Sequence, residues 1–175
     1  LWQNEDSRNR RLIILRPGVV FGQYEKGNFT RLVNAISKKR FFYPGRKDTI
    51  KACIYVKDLA RTMLEMVNVE NNGVNTYNMT YEPAPTIQEI CEVISENGKL
   101  LKPGIIISPN ILFLLSKIAY TLFKIKGLHP DRVKKLMISN DINGMKLNQK
   151  YSLSYGFREG LSDWFKETKF KDIIH

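Results

Sequence analysis

The sequence predicts an α/β fold: the carboxyl-terminal part of a doubly wound parallel sheet, with a small mixed α/β lobe interleaved with it. Three observations predict it. Strand-length apolar runs alternate with segments of helical period, in the order strand, helix, strand, helix, strand, helix, strand, before the chain turns mostly helical. Residues 12–15 are a continuous apolar run, the pattern of a strand covered on both faces of a parallel sheet. Strand ends are followed by a polar break and a helix start, the arrangement in which an open α/β sheet faces a ligand.

Residues 1–10 read as the tail of a helix that enters the first strand. Pro17-Gly18 bends that strand, and residues 19–21 continue it to Gly22. Asn28 is a candidate N-cap. Phe29, Leu32, Val33 and Ile36 follow it at helical spacing, with Arg31, Asn34 and Lys38 turned away. Pro44-Gly45 marks a turn. Residues 50–56 read as a strand holding an inward cation, Lys51, and Asp58 caps the helix that follows. Asn71-Asn72-Gly73 breaks that helix, and residues 74–79 form another strand. Thr86 and Glu89 make a capping box, with Ile87, Ile90 and Ile94 as the buried stripe of its helix. A short strand is expected at 104–108, then an apolar helix from Pro109-Asn110 to about Phe123. Pro130 suits a first helical turn ahead of Val133, Leu136 and Met137. A last helix begins at Gly160, anchored by Trp164. Residues 1–82 are assigned to the sheet with its substrate-facing loops, and 83–175 mainly to the small lobe.

Composition narrows the function. The 175 residues suit one domain with a real core, and 43% hydrophobic with 26% charged residues are globular values. No run approaches the roughly 20 apolar residues of a membrane span. Residues 111–123 come nearest and are interrupted by Ser116 and Lys117. Residues 1–11 carry no secretory signal, so a cytoplasmic location is expected. The chain opens on Leu1 rather than Met, as a cut or incomplete start would. Cys53 and Cys91 are expected as buried free thiols. Two histidines, His129 and His175, and the lack of CxxC or HExxH argue against a metal. A net charge of +11 favours anionic partners. The basic residues are scattered, without aromatic interleaving or a DNA-reading helix, so neither nucleic acid nor membrane is expected as a partner.

Three segments carry chemistry: LRPGVVFG at 15–22, GNFTRL at 27–32 and KACIYVKDLA at 51–60. Together they resemble the second half of an NAD-dependent epimerase/dehydratase of the extended short-chain dehydrogenase/reductase family, sugar-nucleotide epimerase type. The resemblance spans roughly residues 11–165. It implies a Rossmann-like sheet whose amino-terminal dinucleotide-binding half is absent. It also implies roles. Pro17, Gly18 and Val19 would pass the nicotinamide of NAD. Val19 stands where many relatives have an Asn that contacts substrate, and a Val cannot donate that bond. Asn28 and the Phe29 amide would meet a substrate diphosphate at the helix start. Lys51 stands where relatives hold the diphosphate with Arg or Lys, here as a point charge instead of a planar fork. Phe42 or Tyr43 would stack on a uracil or thymine base, with core packing as the alternative. Arg132, in HPDRVKKL, matches a second diphosphate Arg, with a solvated helix face as the alternative. The closing 145–165 pattern is structural.

The family's glycine-rich loop and its Tyr-x-x-x-Lys acid/base pair do not occur in matching places. Tyr43 and Lys47 have that spacing but span Pro-Gly, which no helix accommodates. Tyr120 and Lys124 suit one helix face, yet lie on the wrong side of the RPG strand. No catalytic residue is therefore expected here. The pair is expected upstream of Leu1, and the chain alone is expected to be silent. The implied reaction of the intact parent, expected as a homodimer, is hydride removal to NAD and return at a sugar carbon, C4 of a UDP- or dTDP-sugar. The alternatives are a reductase of non-nucleotide ketones on the same fold, and a non-enzymatic basic binding module.

Overall fold

The computed structural model describes residues 10–69, 73–114 and 137–168. Within them the chain is a mixed α/β structure built on parallel strand pairs. Strand β1 (Arg11–Pro17) is followed by β2 (Val19–Phe21), helix α1 (Asn28–Ser37), β3 (Tyr43–Pro44), β4 (Cys53–Tyr55) and α2 (Val56–Val69). Then come β5 (Gly73–Met79), α3 (Ile87–Gly98), β6 (Ile106–Ile107), α4 (Met145–Lys150) and α5 (Gly156–Glu167). β1 pairs with β5, Arg11 opposite Gly73 and Pro17 opposite Met79. β2 pairs with β4, Val19 opposite Cys53, and β3 with β6, Tyr43 opposite Ile106.

β1 and β2 are one chain path that changes neighbours at Gly18. The Gly18 amide donates to the Met79 carbonyl at 3.1 Å, and the next amide, Val19, donates to Ala52 at 2.9 Å. A Cβ at Gly18 would lie 2.7 Å from the Ala52 carbonyl oxygen, so only glycine lets the two backbones come this close.

The core is aromatic and aliphatic. Phe21 stacks on Phe29 with ring centroids 4.7 Å apart and on Tyr55 at 5.4 Å. Phe29, Val33 and Ile36 bury the inner face of α1, while Ile90, Cys91 and Ile94 bury that of α3. Trp164 closes the core from α5. Cys53 and Cys91 are free and buried, as expected. Burial pushes the Cys91 thiol up to about 12.

Several expectations are corrected. β1 is parallel but not covered on both faces: Leu12 and Ile14 are each 36% exposed. An apolar run records what a strand can bury; Leu12 and Ile14 share one face of the β1–β5 pair, and that face is the exposed one. The 50–56 strand is shorter. Ile50 and Lys51 make isolated bridges to Thr86 and Asn140, and α2 already starts at Val56. α5 begins at Gly156 rather than Gly160. α4 was not expected, because six residues that bury only Leu147 carry too little period to read. The expected helix from Pro109-Asn110 is seen over residues 109–114. Its continuation, residues 130–136 and the first helical tail lie outside the described residues. The Thr86 capping box is present: the Glu89 amide donates to the Thr86 hydroxyl at 3.2 Å, and the Thr86 amide to the Glu89 carboxylate at 2.7 Å.

Asp58 is structural, but it caps a different helix from the one expected. It lies in the first turn of α2, 1% exposed, and its carboxylate reaches the start of α5. The Tyr155 amide donates to Oδ1 at 2.9 Å; the Gly156 amide (3.0 Å) and the Tyr81 hydroxyl (2.8 Å) donate to Oδ2. The Tyr81 oxygen in turn accepts from the Tyr55 amide at 3.1 Å. Asp58→Ala leaves these donors buried and unmatched, so it is expected to cost about 3 kcal/mol or more. Urea unfolding measures it, and an unchanged midpoint would refute the role.

Candidate functional site

The strand switch at Gly18 sets the position of one cluster of candidate residues. Pro17 is exposed, and Gly18 and Val19 are half-buried at the carboxyl end of β1. Both the Gly18 and Val19 amides are spent on Met79 and Ala52. These residues can therefore offer a nicotinamide carbonyl groups and a close backbone, but not those two donors. Neither a phosphate-cradling glycine loop nor an acid/base pair stands among the described residues. The residues present do not amount to a dinucleotide site, and no step through NAD is derived from them.

At α1 the expected cap is corrected. The N-cap is Gly27, without a side-chain cap bond, and Asn28 is the first helical residue, exposed. The reason is Glu25, whose carboxylate accepts from the Thr30 amide at 2.9 Å while the Thr30 hydroxyl donates to the Glu25 carbonyl. An acid already complements the positive end of this helix. Phe29 is 4% exposed and packs on Phe21, so what it offers a ligand is its backbone alone.

The base-stacking candidates separate. Tyr43 is 1% exposed, with its ring edge-on to Phe41 at 5.1 Å and Lys47 over it at 5.2 Å. Burial first, then the neighbouring Cys91, pushes its hydroxyl pKa up. Tyr43 is thus core, and Phe42, half-buried, remains the ring within reach of a base. Arg132, Tyr120 and Lys124 lie outside the described residues.

Lys51 gains a setting that the sequence did not show. Its Nζ donates to the Ile138 carbonyl at 2.9 Å, and its amide donates to Pro85 at 2.9 Å. The next residue, Ser139, accepts from Arg46 Nη2 at 2.9 Å and from the Ile50 amide at 3.1 Å. The Ala52 amide donates to Asn140, and the Asn140 amide donates to Ile50, each at 2.9 Å. Residues 138–140 thus clip the 46–52 segment and bring Arg46 and Lys51 to adjacent positions. Burial first, and then the Arg46 charge, holds the Lys51 pKa below the usual lysine value. Arg46 also pairs with Asp48 at 3.3 Å, an exposed contact of little stability value.

Arg46 and Ser139 were missed. Arg46 follows the Pro44-Gly45 turn closely enough to have been found as a second cation near Lys51. Ser139 is 93 positions from Arg46, and no local pattern could have signalled it. Two open depressions, about 380 and 320 Å³, lie nearby, the first around Tyr81, Tyr151 and Phe157, the second along Ile50, Pro85 and Thr86. Neither is lined by Arg46 or Lys51.

No family model matches the chain. It is 23% identical over 184 residues to the N-acetyl-alpha-D-glucosaminyl-diphospho-ditrans,octacis-undecaprenol 4-epimerase of Escherichia coli O157:H7, covering 98% of this chain and 55% of that protein. Its structure matches human epimerase family protein SDR39U1 with NADPH (TM-score 0.63, 15% identity, 89% of this chain, 48% of that one). It also matches the Thermus thermophilus UDP-glucose 4-epimerase complex with NAD (TM-score 0.57, 15% identity, 92% and 46%). The fold is that of the epimerase/dehydratase proteins. The chain spans about half the length of these relatives. In an open parallel sheet ligands face the carboxyl ends of the strands; Gly18 follows that end of β1, whereas Lys51 and the 138–140 clip lie just ahead of the amino end of β4.

Titrating Lys51 tests this geometry. Its pKa is expected below 10.5, the ordinary lysine value. Arg46→Ala is expected to raise it only part of the way, because burial remains. Side-chain NMR of labelled lysine reads both, and a normal Lys51 pKa would contradict the clip.

Proposed function

We propose that this chain is the substrate-binding part of an NAD-dependent epimerase or dehydratase that acts on a sugar carried by a diphosphate. The reaction assigned to the complete enzyme is hydride removal and return at a sugar carbon, C4 of a UDP- or dTDP-sugar. One observation carries the proposal: Lys51 and Arg46 are held side by side, at a strand end, by the 138–140 clip. Two cations this close repel, and a bridging dianion such as a diphosphate turns that cost into attraction. Lys51 gives the charge, while Arg46 supplies the planar fork that Lys51 lacks. Asn28, Phe42 and Arg132 complete the assigned contacts. Hydride transfer belongs to NAD in the complete enzyme, with its acid/base pair upstream of Leu1.

A second reading keeps the reaction and replaces the nucleoside with a lipid. The E. coli relative is named for a sugar diphosphate on undecaprenol. The burial of Tyr43 favours this reading, because it removes one of the two rings assigned to a base.

In the complete enzyme, Lys51→Ala is expected to raise KM for the sugar diphosphate, by a few kcal/mol at most in binding terms, with kcat little changed. An unchanged KM would count against the site. Tyr120→Phe is expected to leave turnover near normal, and a collapse in rate would move the acid/base pair to Tyr120 and Lys124.

A further inference from the structure

We infer that the face formed by residues 101–114 and 137–138 docks on an anionic lipid bilayer. The inference takes its position from the proposed diphosphate site, and the closing experiment separates the two. Leu101, Ile105, Ile106, Ile111, Leu114 and Ile138 are 50–71% exposed, a density of large apolar groups that single-chain proteins seldom show to water. Their segments meet at Gly45. A Cβ there would lie 3.1 Å from Pro109 Cγ and 3.8 Å from Met137 Sδ, and its amide donates to the Ile107 carbonyl at 2.9 Å. Lys51 bonds the Ile138 carbonyl, so the apolar face borders the two cations.

Charge decides what covers this face. Over the described residues 97–114 the sequence holds no Asp or Glu, while Lys99 and Lys102 fall in that span. Lys99 and Lys102 are exposed and flank Leu101. The nearby acids are already engaged, Glu96 by Lys102 at 2.9 Å and Asp48 by Arg46 at 3.3 Å. A second exposed apolar set, Met63, Leu64, Val67 and Val69 on α2, has Glu65 between its members. Apolar side chains edged by lysines, with the neighbouring acids Glu96 and Asp48 paired to cations, match the boundary of an anionic bilayer, where the lysines meet lipid phosphates and the isoleucines enter the acyl margin. Among the described residues no helix is long and apolar enough to cross a membrane, and the docking inferred is of a surface on the bilayer boundary. Docking this way brings Arg46 and Lys51 to headgroup level, where a lipid-linked sugar diphosphate would present its phosphates. It replaces the sequence-level expectation that no membrane is a partner.

The test is co-sedimentation of the 175-residue chain with phosphatidylcholine vesicles, with and without about 30% phosphatidylglycerol. Binding is expected with phosphatidylglycerol and should weaken as salt rises. The combined Ile105→Ser, Ile106→Ser and Ile111→Ser variant is expected to bind at least about tenfold more weakly, with unchanged circular dichroism. Lys99→Glu with Lys102→Glu should lose only the phosphatidylglycerol-dependent part. Leu64→Ser with Val67→Ser should bind like the parent. No vesicle binding, full binding by the isoleucine variant, or equal losses in the α2 variant would overturn the inference. Calorimetry with UDP-N-acetylglucosamine and with inorganic pyrophosphate, on the chain and on Lys51→Ala, reads the diphosphate site separately. Ligand binding without vesicle binding removes the docking face and keeps the site; vesicle binding without ligand binding does the reverse.

Discussion

A buried carboxylate organises this chain. Asp58 sits in the first turn of α2 and accepts two amides from the start of α5 and the hydroxyl of Tyr81. A carboxylate this deep is costly to desolvate, and only a full set of donors offsets that cost. The donors come from helix-start amides that need an acceptor and from a tyrosine whose oxygen also holds the β4 backbone. One group therefore fixes α2, α5, β4 and the chain beyond β5 relative to one another. Further along α5, Lys57 reaches Asp163 and Glu167, each at 2.7 Å, and the Tyr55 hydroxyl donates to Asp163 at 2.7 Å. Burial alone would raise the Asp163 carboxyl, but the bonds from Lys57 and Tyr55 outweigh it and hold the pKa below the usual range. Gly160 completes the fit, since a Cβ there would lie 2.9 Å from Tyr55.

With α5 fixed, the sheet can place its ligand-facing end. Gly18 lets one strand path leave β5 and join β4 without a side chain in the way. The 138–140 segment then runs against residues 46–52 and sets two cations beside each other. Burial and the neighbouring Arg46 charge both work against a charged Lys51, while Arg46 itself is exposed and paired with Asp48. The diphosphate contact proposed above would give the pair a purpose. The start of α1, by contrast, already has Glu25 against it, and an anion arriving there would have to compete with that carboxylate.

Two of the exposed apolar sets have different meanings. Leu12 and Ile14 on β1 and Val74 on β5 project from one face of their strand pair, the face that a helix layer covers in a doubly wound sheet, and the chain spans about half the length of its relatives. The isoleucines around β6 lie instead beside the cations, in the acid-free stretch of the sequence. Similar hydrophobicity thus fits a covering layer in one place and the proposed lipid surface in the other, and the neighbouring charges make the difference.

The sequence by itself determined the α/β class, the helix period of α1 and α3, the capping box at Thr86, the turn at Gly45 and Lys51 as a cation of interest. Each of these is a local property, set by residue type within a few positions. Tertiary structure decided what local pattern cannot carry. It made Asp58 the cap of a helix about a hundred residues away, buried Tyr43 in the core, handed the α1 start to Glu25, and joined Arg46 to Lys51 through Ser139. Those outcomes depend on which distant donors and carbonyls the fold brings within hydrogen-bond reach, and that distance is not written in the spacing of any one segment.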